Sequence, residues 1–101
     1  MMVTLNTDQK VVLAESTLMQ QLEYDSVLLN LETEQYFGLD EVGTRMMQVM
    51  LEAPNLRAAY DLLLEEYEVA PARLEADMER FLGELLENGL VKVVPDSHGA
   101  G

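Results

Sequence analysis

Apolar residues alternate with polar ones in the first part of the chain, which is the pattern of β-strands. Residues 11–14 and 26–32 predict two strands, and residues 35–39 predict another strand that follows a short turn. Residues 18–22 fit either an extension of the first strand or a strand of their own. Within residues 26–32, the alternation predicts that one set of side chains faces the core: Val27, Leu29 and Leu31.

From Asp40 onward the apolar residues recur every three or four positions, which is the period of an α-helix. Asp40 is an N-cap candidate for a first helix that Pro54 ends, and Asn55 can cap a second helix. A third helix begins near Pro71 and ends at Gly89, a residue suited to the position just after a helix. The apolar stripes of the three helices predict which residues face the strands: Met46, Tyr60 and Phe81.

Strands that precede helices are typical of the α+β class. Residues 90–94 are compatible with a short extended segment, and residues 95–101 predict a disordered tail, so residues 1–94 form one domain. We expect an N-terminal three-stranded antiparallel sheet that the three helices cover on one face. An outer strand of such a sheet has an unpaired edge, which can pair with another chain.

Composition excludes most catalytic chemistry. The chain has 101 residues with no Cys and a single His, His98, so thiolate nucleophiles, Cys-based metal sites and His-rich metal centres are excluded. The 6 Lys+Arg are scattered among 19 Asp+Glu, and the resulting charge of −13 argues against a nucleic-acid partner. No segment has the length of a membrane span, and the N-terminus lacks the features of a secretory signal. We therefore expect a cytoplasmic protein without a membrane partner, catalytic activity, metal or cofactor.

One short motif suggests a different function. The run Asp25-Ser26-Val27 is similar to the Asp-Ser-Leu attachment site of acyl carrier proteins, which are also small and acidic. In those proteins the serine begins a long amphipathic helix, whereas Ser26 begins an alternating strand pattern. A small acyl-carrier-like protein modified at Ser26 is therefore the alternative function, and the conformation at Ser26 decides between the two.

Residues 27–90 resemble the PqqD-like family, the RiPP recognition elements that serve ribosomally synthesised and post-translationally modified peptides. The resemblance depends on the order and spacing of short pieces: VLLNL at 27–31, QYFGLD at 35–40, VG at 42–43, EEYEV at 65–69, DM at 77–78, FL at 81–82, Leu85 and NGL at 88–90. The chain departs from the family pattern at Glu34, where a turn glycine is common, and at Met47, where tryptophan is common. It also has Asp40 where the family often has asparagine, a change that keeps the capping role.

This resemblance implies a winged helix-turn-helix-like fold that binds the leader segment of a precursor peptide as an added strand. The leader would lie between the third strand of the sheet and the third helix. The strand edge would be formed by Gln35, Tyr36, Phe37, Gly38 and Leu39. The helix wall would be formed by Arg73, Leu74, Asp77, Met78 and Phe81.

The function that the resemblance implies is that of a peptide chaperone without catalytic activity. Such a domain holds the leader so that the rest of the precursor reaches a separate maturation enzyme. Two classes of enzyme remain open as partners: a radical-SAM peptide-modifying enzyme and a lasso-peptide leader protease.

Overall fold

The computed structural model describes residues 8–95, which form five strands and three helices. In chain order these are β1 (Gln9–Leu13), β2 (Thr17–Gln21), β3 (Ser26–Asn30), β4 (Gln35–Leu39), α1 (Glu41–Glu52), α2 (Leu56–Glu66), α3 (Pro71–Glu87) and β5 (Val91–Pro95). The predicted α+β class, with antiparallel strands followed by three helices, is confirmed, and a winged helix-turn-helix-like description is compatible with this order. None of the helices in the described range is long and apolar enough to cross a membrane.

The strands form two antiparallel sheets, a three-stranded one in the order β2-β3-β4 and a two-stranded one of β1 and β5. The prediction that residues 11–14 belong to the three-stranded sheet is wrong, because β1 pairs with a strand from the other end of the domain. The first strand of the larger sheet is instead β2, which lies in the segment that the sequence pattern left undecided. Local alternation cannot reveal such a pairing, since the two partners are far apart in sequence.

The last strand confirms the extended segment predicted for residues 90–94. It continues to Pro95, which lies opposite Gln9, so this residue is part of the sheet and not of the predicted tail. The remainder of that tail, with His98, lies outside the described residues.

β3 buries the face opposite to the one that the sequence predicts. Leu28 is fully buried at the centre of the strand, whereas Leu31 follows the strand and is 50% exposed. The residues that face the helices are Ser26, Leu28 and Asn30, and those on the outer face are Val27 and Leu29. The prediction for Val27, Leu29 and Leu31 is therefore wrong.

Two polar residues occupy the inner face of β3 because each has hydrogen-bond partners there. Ser26 Oγ lies 2.7 Å from Thr44 Oγ1 on α1. Asn30 Nδ2 donates to Asn88 O at 3.0 Å, and Asn30 Oδ1 accepts from Glu32 N at 3.0 Å in the turn that follows. Buried polar groups are tolerated when they are bonded in this way, so hydropathy alone gives the wrong face.

The helices begin and end where capping residues are placed. Asp40 accepts a hydrogen bond from Gly43 N at 2.8 Å, and Asn55 accepts one from Ala58 N at 2.8 Å, as predicted. α3 begins at Pro71, which needs no N–H in the first turn. The apolar faces of the helices enclose one core with β1, β3 and β5: Val11, Leu28, Met47, Met50, Leu63, Met78, Leu82 and Val91.

Candidate functional site

The hydrogen bonds at both ends of the β2-β3 pair determine the ladder pattern of the larger sheet. Leu31 N donates to Ser16 O at 2.8 Å, and Leu22 N donates to Asp25 O at 2.8 Å. In an antiparallel ladder, residue pairs that exchange backbone hydrogen bonds alternate with pairs that do not. The neighbouring pairs Thr17/Asn30 and Gln21/Ser26 therefore exchange no backbone hydrogen bonds. The β3 residues in such pairs alternate along the strand: Ser26, Leu28 and Asn30.

The backbone groups of these three residues therefore point to β4, where their partners are Leu39, Phe37 and Gln35. The N–H and C=O groups of Tyr36 and Gly38 consequently point the other way. Among residues 8–95, β4 has a partner strand on one side only, so these groups face an open edge. The structure thus offers two donors and two acceptors to an incoming strand.

The open edge of β4 borders a groove that runs along α3. Beside β4 the groove has a volume of about 290 Å³ and is lined by residues 36–39 together with Phe81, Glu84 and Asn88. A second depression of about 250 Å³ continues to the first turns of α1, where it is lined by Val42, Gly43 and Met46. Because Phe81 and Glu84 line both depressions, the two form one continuous surface, which we call the β4-α3 groove.

One stripe of α3 faces this groove and the adjacent stripe faces the core. The groove stripe follows the three- and four-residue spacing of one helix face: Asp77, Phe81, Glu84 and Asn88. The core stripe contains Leu74 and Met78, which are 4% and 0% exposed. The prediction that Leu74 and Met78 form the wall that contacts a peptide is therefore corrected: both are buried in the core and offer almost no surface to a ligand.

The remaining predicted residues divide in the same way. Asp77 and Phe81 line the groove, whereas Arg73 lies outside its lining with a side chain that is 77% exposed and 3.9 Å from Asp77. Residues 36–39 line it, and Gln35 is exposed at the start of β4. The structure thus places the predicted strand edge beside α3. The α3 residues that line the groove begin about one turn further along the helix than the predicted wall.

Groove residues that the sequence analysis missed lie further along the same helix and on α1. They are Val42, Gly43 and Met46 on α1, Arg80, Glu84, Leu85 and Asn88 on α3, and Leu90 just after α3. Counting by helical spacing from Phe81 would have found Glu84 and Asn88, because they continue its stripe. The α1 residues carry no such signal, since only the tertiary structure brings the first turns of α1 beside α3.

The C-terminus of α3 fixes one end of the groove. Gly89 has a φ of 68°, Leu90 N donates to Leu85 O at 2.9 Å and Gly89 N donates to Leu86 O at 3.1 Å, which together form a Schellman cap. The side chain of Asn30 also holds this end through its bond to Asn88 O. Asn30, which lies on the buried face of β3, therefore also holds the end of α3 against the sheet.

A larger cavity, of about 370 Å³, lies elsewhere between α1, the end of α2 and the β2-β3 turn. Several of its polar groups are bonded within the chain: Arg45 pairs with Glu66, and Gln48 Nε2 donates to Gln21 Oε1 at 2.7 Å. The hydrogen bond from Arg45 lowers the pKa of Glu66, and burial raises the pKa of Tyr67. The Arg45–Glu66 pair links α1 to the end of α2, and the Gln48–Gln21 bond links α1 to β2, so these groups stabilise the packing of α1 and do not form an open backbone edge.

The structure contradicts the acyl-carrier alternative. Ser26 begins β3, is 1% exposed and shares a hydrogen bond with Thr44. A hydroxyl in this position cannot reach the enzyme that would attach a prosthetic arm. Within residues 8–95, no group of three or more His, Cys, Asp or Glu side chains is placed to hold a metal ion.

A family model and two solved structures match this chain. The model of the family "Coenzyme PQQ synthesis protein D (PqqD)" matches residues 25–91. The comparison with curated proteins found no significant match. One similar solved structure is TbiB1 in complex with the TbiA(beta) leader peptide, with 30% identity, a TM-score of 0.72, and coverage of 79% of this chain and 93% of that chain.

A second similar structure is lasso peptide synthetase B1 complexed with the leader peptide, with 26% identity and a TM-score of 0.71. It covers 82% of this chain and 98% of its own. The family match spans most of the domain, from the turn before β3 to the start of β5. The chain therefore belongs to the PqqD family.

Proposed function

We propose that this chain binds the leader segment of a ribosomally synthesised precursor peptide as an added strand on β4 and presents it to a separate maturation enzyme. The observation that carries this proposal is the open edge of β4 beside the β4-α3 groove. Two structures with the same fold and at least 26% identity are complexes with leader peptides, which supports it.

Strand addition matches the chemistry of this edge. A leader strand would form backbone hydrogen bonds with Tyr36 and Gly38, and these bonds do not depend on the leader sequence. Successive side chains of a strand point to opposite faces, so every second leader side chain would enter the groove. Those side chains would meet the half-buried ring of Phe81, which favours apolar residues at these positions of the leader.

Charge adds a second element of recognition. Glu84 lies where the two depressions of the groove meet, and Asp77 lies nearby with Arg80 at 3.1 Å. The net charge of the chain is −13. A leader with a lysine or arginine near Glu84 would therefore be attracted to the groove, and the overall field would accelerate its association.

The role proposed for the domain is presentation rather than chemistry. The described lining of the groove combines backbone, apolar side chains, three aromatic rings, an amide, a guanidinium and carboxylates, without a nucleophile next to a base. Holding a leader close to an enzyme raises the effective concentration of the precursor, to the mM scale for short flexible connections. The similarity to lasso peptide synthetase B1 favours a leader protease over a radical-SAM enzyme as the partner.

The test uses candidate precursor peptides and processing enzymes identified among the genes that neighbour the gene for this chain. A fluorescein-labelled synthetic leader measures binding by anisotropy, and mass spectrometry follows conversion of the full precursor. We expect saturable leader binding, and conversion that is fast only when the chain and the enzyme are both present. Conversion at the same rate without the chain, or conversion by the chain alone, would contradict the proposal.

A further inference from the structure

The face of the three-stranded sheet that points away from the helices is apolar, and no described part of the chain covers it. Leu18 on β2 lies opposite Leu29 on β3, and Leu29 lies opposite Tyr36 on β4, so the three side chains form one row across the sheet. Leu18 is 55% exposed and Tyr36 is 73% exposed. We call this row, with the neighbouring Val27, the outer face. Contiguous apolar surface of this kind marks interaction sites in soluble proteins.

The outer face is continuous with the edge proposed for leader binding. A leader strand added to β4 would lie next to Tyr36 and extend the sheet by one strand. The leader side chains that do not enter the β4-α3 groove would then project on the outer face. A protein that docks there would contact the domain and the leader together, and this composite surface would exist only when the leader is bound.

The charges around the outer face indicate what kind of protein fits it. Residues 17–39 contain no Lys or Arg, and their four acidic residues lie at or beside the two turns that bracket the row: Glu23, Asp25, Glu32 and Glu34. Two copies of the chain would each bring a charge of −13, which disfavours a self-associated pair. An apolar patch with basic residues around it is the complementary surface.

We propose that the outer face, centred on Leu18, Leu29 and Tyr36, is the docking surface for the maturation enzyme, which thereby recognises the leader-loaded domain. This inference rests on the proposed leader binding and adds to it a surface for the second partner. Leader and enzyme would contact the domain at the same time without competing, because the leader occupies the edge and the groove.

Leu18→Gln is the test variant, and Leu62→Gln is the matched control. Leu18 is roughly 10 Å from β4, two strand spacings away, so its replacement does not touch the leader site. Leu62 on α2 is 47% exposed and receives the same change on a different surface. Circular dichroism verifies that both variants fold. Leader affinity is measured by anisotropy, and the concentration of the chain that gives half-maximal precursor conversion is measured by mass spectrometry.

We expect both variants to bind the leader within about twofold of the unmodified chain, and only Leu18→Gln to raise the half-maximal concentration, by about tenfold. Equal conversion by Leu18→Gln and Leu62→Gln would overturn the inference and leave the proposed function intact. Weaker leader binding by Leu18→Gln would overturn it too, because the face would then belong to the leader site. Light scattering that shows a dimer, converted to a monomer by Leu18→Gln, would assign the face to a second copy instead. Failure of the unmodified chain to bind the leader would refute the proposed function itself.

Discussion

Replacing Gly38 with proline removes the backbone N–H that β4 offers to a leader strand. Gly38 lies opposite Val27, in a pair that exchanges no backbone bonds within the sheet, so this N–H is not needed for the fold. Proline is tolerated on an edge strand when the missing N–H faces outward. We therefore expect Gly38→Pro to fold. Phe37→Pro would instead remove a donor to Leu28 and separate β4 from β3, so it is unsuitable for measuring binding.

The structure gives the size of the expected effect. A leader residue paired with Gly38 would exchange two hydrogen bonds with it, and each contributes about 0.5–1.5 kcal/mol net. The proline ring removes one bond and obstructs the approach needed for the other. The expected loss is about 1–3 kcal/mol, which raises the Kd of the leader about 5- to 150-fold.

Gly38→Ala is the matched control, because it keeps the N–H and its Cβ meets no heavy atom within 4 Å. Anisotropy with a labelled leader measures Kd for both variants, and thermal unfolding followed by circular dichroism verifies the fold. An unchanged Kd for folded Gly38→Pro would refute strand pairing at this edge. If Gly38→Pro and Gly38→Ala weakened leader binding equally, the cause would be the added side-chain volume and not the lost hydrogen bonds.

Three further outcomes follow from burial and charge. Phe81→Ala should weaken leader binding by about 1–3 kcal/mol, measured by the same anisotropy assay, and an unchanged Kd would remove Phe81 from the site. Met78→Ala should lower the free energy of unfolding by about 2–5 kcal/mol in urea titrations, and lost affinity without lost stability would contradict its place in the core. Arg45 lowers the pKa of Glu66, so the solvent-screened pair stabilises the fold above the unfolded pKa of 4.5 and loses this contribution as pH falls through the lower folded pKa. At neutral pH, Glu66→Gln should thus lower the free energy of unfolding by about 0.2–1 kcal/mol more than Glu65→Gln does, and in acid by the same amount as Glu65→Gln. Urea titrations at the two pH values measure this, and a difference between the variants that is the same at both pH values would contradict the pairing.

The helices of this fold are predictable because their signals are local. Asp40 and Asn55 lie next to the turns that they cap, and Gly89 supplies the positive φ after α3. Within each helix the apolar period is uninterrupted, so the helix type and the approximate ends follow from the sequence alone.

The strands are less predictable because their partners are distant. β1 pairs with β5 at the far end of the domain, which no alternation in residues 11–14 indicates. β3 has apolar residues in both phases, and its buried face is decided by Ser26 and Asn30. Their partners Thr44 and Asn88 are 18 and 58 residues away.

The sequence predicts the strand side of the candidate site, but two of the residues that it predicts on α3 lie in the core instead. The edge at residues 36–39 follows from the hairpin and from the family resemblance, and it borders the groove. On α3, Met78 follows Asp77 directly, and one residue rotates the side chain by about 100° around a helix. That rotation separates a groove residue from a core residue, and only the packing of α3 against the sheet shows which stripe faces outward.

An isotope-filtered NOESY spectrum of the ¹³C,¹⁵N-labelled chain with unlabelled leader tests the central claim most directly. Strand addition predicts cross-strand contacts from the amide protons of Tyr36 and Gly38 to leader backbone protons, together with contacts between the Phe81 ring and a leader side chain. Leader contacts confined to β2 or α2, with none to the amides of Tyr36 and Gly38, would contradict it.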